Sequence, residues 1–195
     1  MADIDQIKIL REETSAPVNE CRKALDEAKN DIEKAKEILK RLGKTLAEKK
    51  IDREAKEGII DIYLHPNKKV GVILELRCES DFVAKSEDFQ KLAHELCLQI
   101  TATNPLCISE NELSSEFIEN EKKMYQEQFV GSGKPENIVK SIIEGKWQKK
   151  KEEICLLDQI WIKDDTKKIK DLITDSIAKL GENIIVKGLK RLSIN

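Results

Sequence analysis

The spacing of apolar residues first changes at Gly58, and that change constrains the fold more than any other feature. Before it, apolar side chains recur every three or four residues. After it, Ile60, Ile62 and Leu64 alternate with Asp61, Tyr63 and His65. Pro66-Asn67-Lys68 supplies a turn. Val70, Val72, Leu74, Leu76 and Cys78 then share one face of a second strand, with Lys69, Gly71, Ile73, Glu75 and Arg77 on the other. Spacings of three and four line a helical stripe, and a spacing of two lines one face of a strand. The chain therefore combines helices with a half-buried antiparallel hairpin. It is of the α+β class, a small antiparallel sheet packed with helices.

The helical spacing before Gly58 falls into three runs. Ile4, Ile7 and Leu10 lie on one side of the first. Val18, Cys21, Ala24, Leu25 and Ala28 mark the second, and Ile32, Ala35, Ile38, Leu39 and Leu42 the third. Pro17 suits the opening turn of the second helix. Asn30 with Glu33 reads as a capping pair for the third, and Gly43 as its end. Short amphipathic helices bury their stripes only against one another, so residues 1–50 form a small bundle, resembling the ubiquitin-associated type. The charged stretch 44–57 is a helical or partly flexible linker, and residues 51–195 form a second, core domain.

Beyond the hairpin, Phe89, Leu92, Ala93, Leu96 and Ile100 predict a helix capped by Ser86 and ended at Asn104-Pro105. Helices are expected over 112–130, 136–144, 146–156 and 167–180, with a break at Gly131-Ser132-Gly133-Lys134-Pro135. Trp161-Ile162 forms a short extended piece before a loop at Lys163-Asp164-Asp165. Ile184 and Val186, then Leu192 and Ile194, predict a third strand for the sheet, with a bulge at Gly188.

Composition removes several function classes. Formal net charge is −2 with acids and bases interspersed, so no basic stripe points to direct nucleic-acid binding. Lys149-Lys150-Lys151 is offset at once by Glu152-Glu153 and reads as a solvated helix face. No stretch is apolar enough to span a membrane, and five cysteines without paired spacing fit reduced thiols in a cytoplasmic protein. Cys21, Cys97 and Cys155 sit among apolar positions and are expected to be buried. Gly133-Lys134 does not make a phosphate loop, because Gln128 stands where the earlier glycine belongs and Pro135 where a hydroxyl would hold magnesium. His65 and His94 lack partners at metal-ligand spacing, and Asp164-Asp165 lacks a ligand series. No metal, cofactor or enzymatic activity is expected.

Asp81-Phe82 follows directly on the second strand. From the residues alone it reads as a chain reversal, with Phe82 folding back to the core and Asp81 capping a turn. The other reading is an acid and an aromatic displayed at the strand end, ready to anchor in a partner's pocket. An interaction adaptor also remains open, since residues 1–50 would serve one. A small enzyme lacks any identifiable nucleophile–base pair or metal set.

Ordered blocks decide between these readings by resemblance. Leu10-Arg11-Glu12 with Thr14, Cys21-Arg22-Lys23-Ala24-Leu25 and Asn30-Asp31-Ile32-Glu33-Lys34-Ala35 come first. Glu75-Leu76, Cys78 and Asp81-Phe82-Val83-Ala84-Lys85 follow, then Gly133-Lys134-Pro135, Glu144-Gly145, Lys163-Asp164-Asp165 and Gly181-Glu182-Asn183-Ile184. Together they resemble the elongation factor Ts family in its short form. The resemblance implies a guanine-nucleotide exchange factor, not an enzyme, that binds elongation factor Tu in its GDP-bound and nucleotide-free forms. Ser80, Asp81, Phe82 and Val83 would disturb the partner's magnesium and phosphate site, and Arg11, Val18 and Lys23 would dock the N-terminal bundle. The short form further implies a homodimer. The chain departs from the family's usual residues at Ser15, Pro17, Asn19, Arg77 and Ser80, the last keeping the hydroxyl of the usual threonine.

Overall fold

The hairpin forms where the alternation places it, in a computed structural model that describes residues 3–14, 16–129 and 135–194. Strand β1 spans Glu57–Leu64 and β2 spans Val70–Cys78. His65 N–H donates to Val70 O at 2.9 Å, and Lys68 takes a left-handed conformation (φ 57°) within the turn. The expected C-terminal strand, β5 at Ile185–Ser193, lies on the other side of β2, giving the order β1-β2-β5. Ile194 N–H donates to Lys69 O at 2.8 Å, so the end of β5 meets the start of β2 and the two run antiparallel. A Cβ placed on Gly58, at φ 153°, would stand 2.2 Å from Leu76 O. Glycine is required where β1 begins to pair.

The sheet has one covered face and one open face. Val72, Leu74, Leu76 and Cys78 are buried, as the alternation of β2 predicts. On β1 the partly covered residues are Ile59, Asp61 and Tyr63, while Ile60, Ile62 and Leu64 face solvent. Register explains this choice. A Cβ on Gly71 would meet Leu64 Cδ1 at 3.7 Å, so Leu64 sits over the open side of β2. Burial on β5 changes phase near Gly188: Ile184 and Val186 are buried, but Leu192 and Ile194 are exposed.

Three N-terminal helices form as expected: α1 at Ile4–Thr14, α2 at Val18–Glu27 and α3 at Ile32–Glu48. They bury Leu10, Cys21, Ala24, Leu25, Ala28, Ala35 and Leu39 together. Two details differ from the sequence reading. The cap of α3 is Asp31, which accepts Lys34 N–H at 3.1 Å. Asn30 instead takes φ 66° to turn the chain. Nor does α3 end at Gly43. That residue is buried, and a Cβ there would stand 3.2 Å from Cβ of Ala178 on the later helix α8 (Ile169–Leu180). Here glycine permits close helix approach rather than ending a helix.

After the sheet's first two strands come the one-turn helix α4 (Asp81–Ala84) and α5 (Glu87–Thr103). Ser86 Oγ accepts Phe89 N–H at 3.4 Å, and Phe89, Leu92, Ala93, Leu96 and Ile100 are all buried. Helices α6 (Ser115–Glu127) and α7 (Glu136–Ile154) pack side by side. The two helices expected over 136–156 are one. Gly145 lies in open space, and its cost of about 1 kcal/mol is offset by the turn beyond it, which buries Trp147. Trp147 Nε1–H donates to Glu110 at 3.0 Å, and Lys151 reaches the same carboxylate at 2.9 Å. Lys151 is therefore largely covered, not part of a solvated face. The alternation did not reveal a second hairpin, β3 (Ile160–Trp161) with β4 (Asp164–Lys168). Asp164 Oδ1 shapes its turn by accepting from Thr166 N–H at 3.0 Å and Thr166 Oγ–H at 2.6 Å.

Of the break expected at Gly131-Ser132-Gly133-Lys134-Pro135, residues 131–134 lie outside the described residues, as does the departure at Ser15, while Pro135 directly precedes α7. Cys21, Cys78, Cys97, Cys107 and Cys155 are all buried free thiols. Among the described residues no helix is long and apolar enough to cross a membrane. The chain divides into two compact units. One comprises Met1–Asp61, Glu75–His94 and Asp171–Lys187, the other Ile62–Leu74, Glu95–Lys170 and Gly188–Asn195.

Candidate functional site

β2 ends at Cys78, and within three residues the backbone has turned into α4. Ser80 makes that turn. It is extended (φ −126°, ψ 155°), and its Oγ accepts Val83 N–H at 3.3 Å, a helix N-cap. The single turn of helix has two sides. Val83 and Ala84 point inward and are buried. Asp81 and Phe82 point outward, and Phe82 is 82% exposed, more than any other large apolar residue among those described. The chain reversal read from the sequence exists, but its details differ. Ser80 caps it in place of Asp81, and Val83 fills the core in place of Phe82.

Asp81 is held ionised. Lys85, one helical turn on, donates to Asp81 Oδ2 at 2.7 Å. That bond, reinforced by the ammonium charge, pulls the Asp81 carboxyl below the ordinary aspartate value and raises Lys85 in turn. The pair is exposed, so its contribution to stability is small.

The base of the turn is held by side chains distant in sequence. Glu182 Oε2 accepts the backbone N–H groups of Glu79 (3.1 Å) and Ser80 (2.9 Å), and its Oε1 accepts the Ser80 hydroxyl at 2.6 Å. Glu79 answers by accepting Asn183 N–H at 2.7 Å. Asn183, itself buried, donates through Nδ2 to Arg53 O at 2.8 Å and Ile51 O at 3.3 Å. Beneath the turn, the Cys78 thiol donates to Ser80 O at 3.2 Å. Burial, and next the negative charge of Glu182, push that thiol up to about 11, so it stays protonated and keeps its donor.

Hydrogen bonds thus tie Ser80, Asp81 and Val83 into one turn that carries Phe82. Arg11, Val18 and Lys23 are separate exposed positions: Arg11 in the last turn of α1, Val18 at the start of α2 and Lys23 further along it. Sequence reasoning missed the roles of Glu79, Glu182 and Asn183. Their only signal was the Gly181-Glu182-Asn183-Ile184 block. Gly181 closes α8 at φ 78°, its N–H donating to Ile177 O at 2.9 Å, and this presents the next two side chains to the turn at Ser80. The arrangement offers an aromatic ring and a fixed carboxylate, a pair suited to insertion into a partner's cleft.

Comparison with known proteins gives one answer. Residues 7–194 match the family profile described as Elongation factor TS. The chain is 50% identical over 191 residues to Elongation factor Ts of Thermotoga petrophila, covering 98% of this chain and 95% of that protein. It is 49% identical over 188 residues to Elongation factor Ts of Thermodesulfovibrio yellowstonii, covering 96% and 94%. With Elongation factor Ts of Herpetosiphon aurantiacus it shares 46% identity over 191 residues, covering 98% and 96%.

Proposed function

The chain belongs to the elongation factor Ts family, and on that premise we propose that it is a cytoplasmic exchange factor that promotes GDP release from elongation factor Tu. The observation that carries this reading is the outward display of Phe82 on a turn whose backbone is hydrogen-bonded at its base. A pocketed aromatic supplies binding energy, and a fixed one loses little entropy on docking. Asp81 and Phe82, with Ser80 and Val83 holding them, enter the partner near the site where magnesium bridges the GDP phosphates. Moving that metal or its ligands weakens nucleotide binding. Residues 1–50 act as a second docking module through Arg11, Val18 and Lys23, while residues 51–195 carry the wedge.

Linkage completes the cycle. A factor that weakens nucleotide binding is itself bound more weakly by the same factor once nucleotide is present. Incoming GTP therefore expels it, and no covalent step is needed. The direct test is release of a fluorescent GDP analogue from elongation factor Tu. Release should accelerate with added protein, and Phe82→Ala should remove most of the acceleration. A folded Phe82→Ala variant with unchanged stimulation would refute the wedge.

A homodimer is the second part of the proposal. It is supported by the open face that Ile62, Leu64, Ile73 and Leu192 present: Ile62 is 65% and Leu192 64% exposed. An apolar patch of this kind marks an interaction surface. Two copies would bury it symmetrically. Sedimentation across a concentration series should show self-association. A monomer throughout would remove this part and leave the wedge untouched.

A further inference from the structure

We propose that Glu182 is a positioning residue for nucleotide exchange, fixing the angle at which Asp81 and Phe82 meet the partner; the inference rests on the exchange reading above. Glu182 lies 102 residues from Ser80 in sequence, yet its carboxylate receives three donors from Glu79 and Ser80. Two of these are the last backbone N–H groups before α4. The third is the Ser80 hydroxyl, whose oxygen accepts Val83 N–H and so caps the helix bearing Phe82. One carboxylate therefore sets both the approach of the backbone and the orientation of the cap. Hydrogen bonds to an ionised acceptor are shorter and stronger than neutral ones, and this geometry uses three of them on one side chain.

Such bracing makes little sense for fold stability alone. Cys78, Val83 and Ala84 already anchor the turn through burial. Burial of Val83 and Ala84 sets the rotation of this one-turn helix only coarsely, and the hydrogen bonds at its base refine where the outward ring points. An insertion that perturbs a metal site needs placement to a fraction of an ångström, and small misplacements cost rate rather than affinity. The reciprocal bond from Asn183 N–H to Glu79, and those from Asn183 to Ile51 and Arg53, extend the brace into the segment that follows the N-terminal helices. The wedge and that segment are thereby referred to one point of the fold.

The test is stopped-flow release of a fluorescent GDP analogue from elongation factor Tu, using the full chain and four variants: Glu182→Ala, Glu182→Gln, Phe82→Ala and Phe82→Ala with Glu182→Gln. Titrating each variant separates the maximal release rate from the concentration giving half of it. Glu182→Ala should lower the maximal rate about tenfold with a much smaller change in half-saturation. Glu182→Gln keeps the shape and the backbone bonds but cannot accept the serine hydroxyl through its amide nitrogen, and should cost about threefold. In the double variant the loss should be no greater than that of Phe82→Ala alone, because Glu182 acts through the ring. If Glu182→Ala fails to fold, Glu182→Gln decides. An unchanged rate in Glu182→Gln, or losses that multiply in the double variant, would overturn the inference. If Phe82→Ala itself leaves release unchanged, it is the exchange reading that fails, and this outcome is separate from the others.

Discussion

Phe82 and the open face of the sheet both hold apolar side chains in water, but they are built differently. Phe82 is a single ring on a turn braced by hydrogen bonds from two directions. The open face is a set of side chains on adjacent strands, with Ile62, Leu64 and Ile73 spread around Gly71 and Leu192 added from β5. A braced point suits an event that must be geometrically exact and soon reversed. A broad face suits a contact whose strength comes from area and which tolerates small shifts. On the proposed function, the same chemistry, apolar exposure, would serve release of nucleotide in one place and self-association in the other.

That contrast can be broken most severely at Gly58. Both features depend on β1–β2 pairing, and alanine there would press its Cβ against Leu76 O. Gly58→Ala should cost about 3 kcal/mol of stability, seen as a thermal midpoint lower by roughly 10 °C. Exchange and self-association should fall together. If one survived intact, it would not depend on the strand pairing. Next comes the face itself. Ile62→Lys with Ile73→Lys places like charges on a surface that occurs twice in a symmetric dimer, and should weaken self-association about 100-fold or more. Analytical ultracentrifugation reads this, and the thermal midpoint should hardly move because both residues are exposed already.

Smaller effects sharpen the other side of the contrast. Phe82→Ala should slow stimulated GDP release about tenfold, about 1.4 kcal/mol, with self-association unchanged. The smallest effect concerns pH. Asp81 is depressed in the folded protein, so its stabilisation is complete above the unfolded value and is lost only as pH falls through the lowered folded one. Cys78 is raised, so its contribution is complete below the usual thiol value and is lost as pH rises toward about 11. The turn should therefore behave uniformly from pH 5 to about 8. Urea unfolding above pH 9 should show falling stability, with a shallower fall in Cys78→Ala. An equally steep fall would assign the slope to the other buried thiols.

The periodic parts of this fold were legible in the sequence, and the parts set by distant pairing were not. Alternation located both strands of the hairpin and β5, and three-to-four spacing located α1, α2, α3 and α5. Alternation could not say which face of β1 is covered, because Ile59 and Tyr63 compete with Ile62 and Leu64, and only the register with β2 decides. Gly43 and Gly145 read as breaks because glycine usually is one. In the structure one is a close approach to Ala178 and the other a tolerated surface position. At the candidate site, the residues that display themselves were named from resemblance. Glu182, which holds them, was not, since nothing local connects it with Ser80.

The distance between Glu182 and Ser80 also bears on how the chain is made. Synthesis proceeds from the N-terminus, so Asp81 and Phe82 leave the ribosome long before the residues that brace them. A chain stopped before Ala178 carries the ring without its support, and α3 without the Ala178 surface beneath Gly43. A chain must reach Asn183 before the brace is complete. A nascent chain that lacks Glu182 would thus hold Phe82 on a turn fixed by local contacts alone, and the long-range bond joins it last.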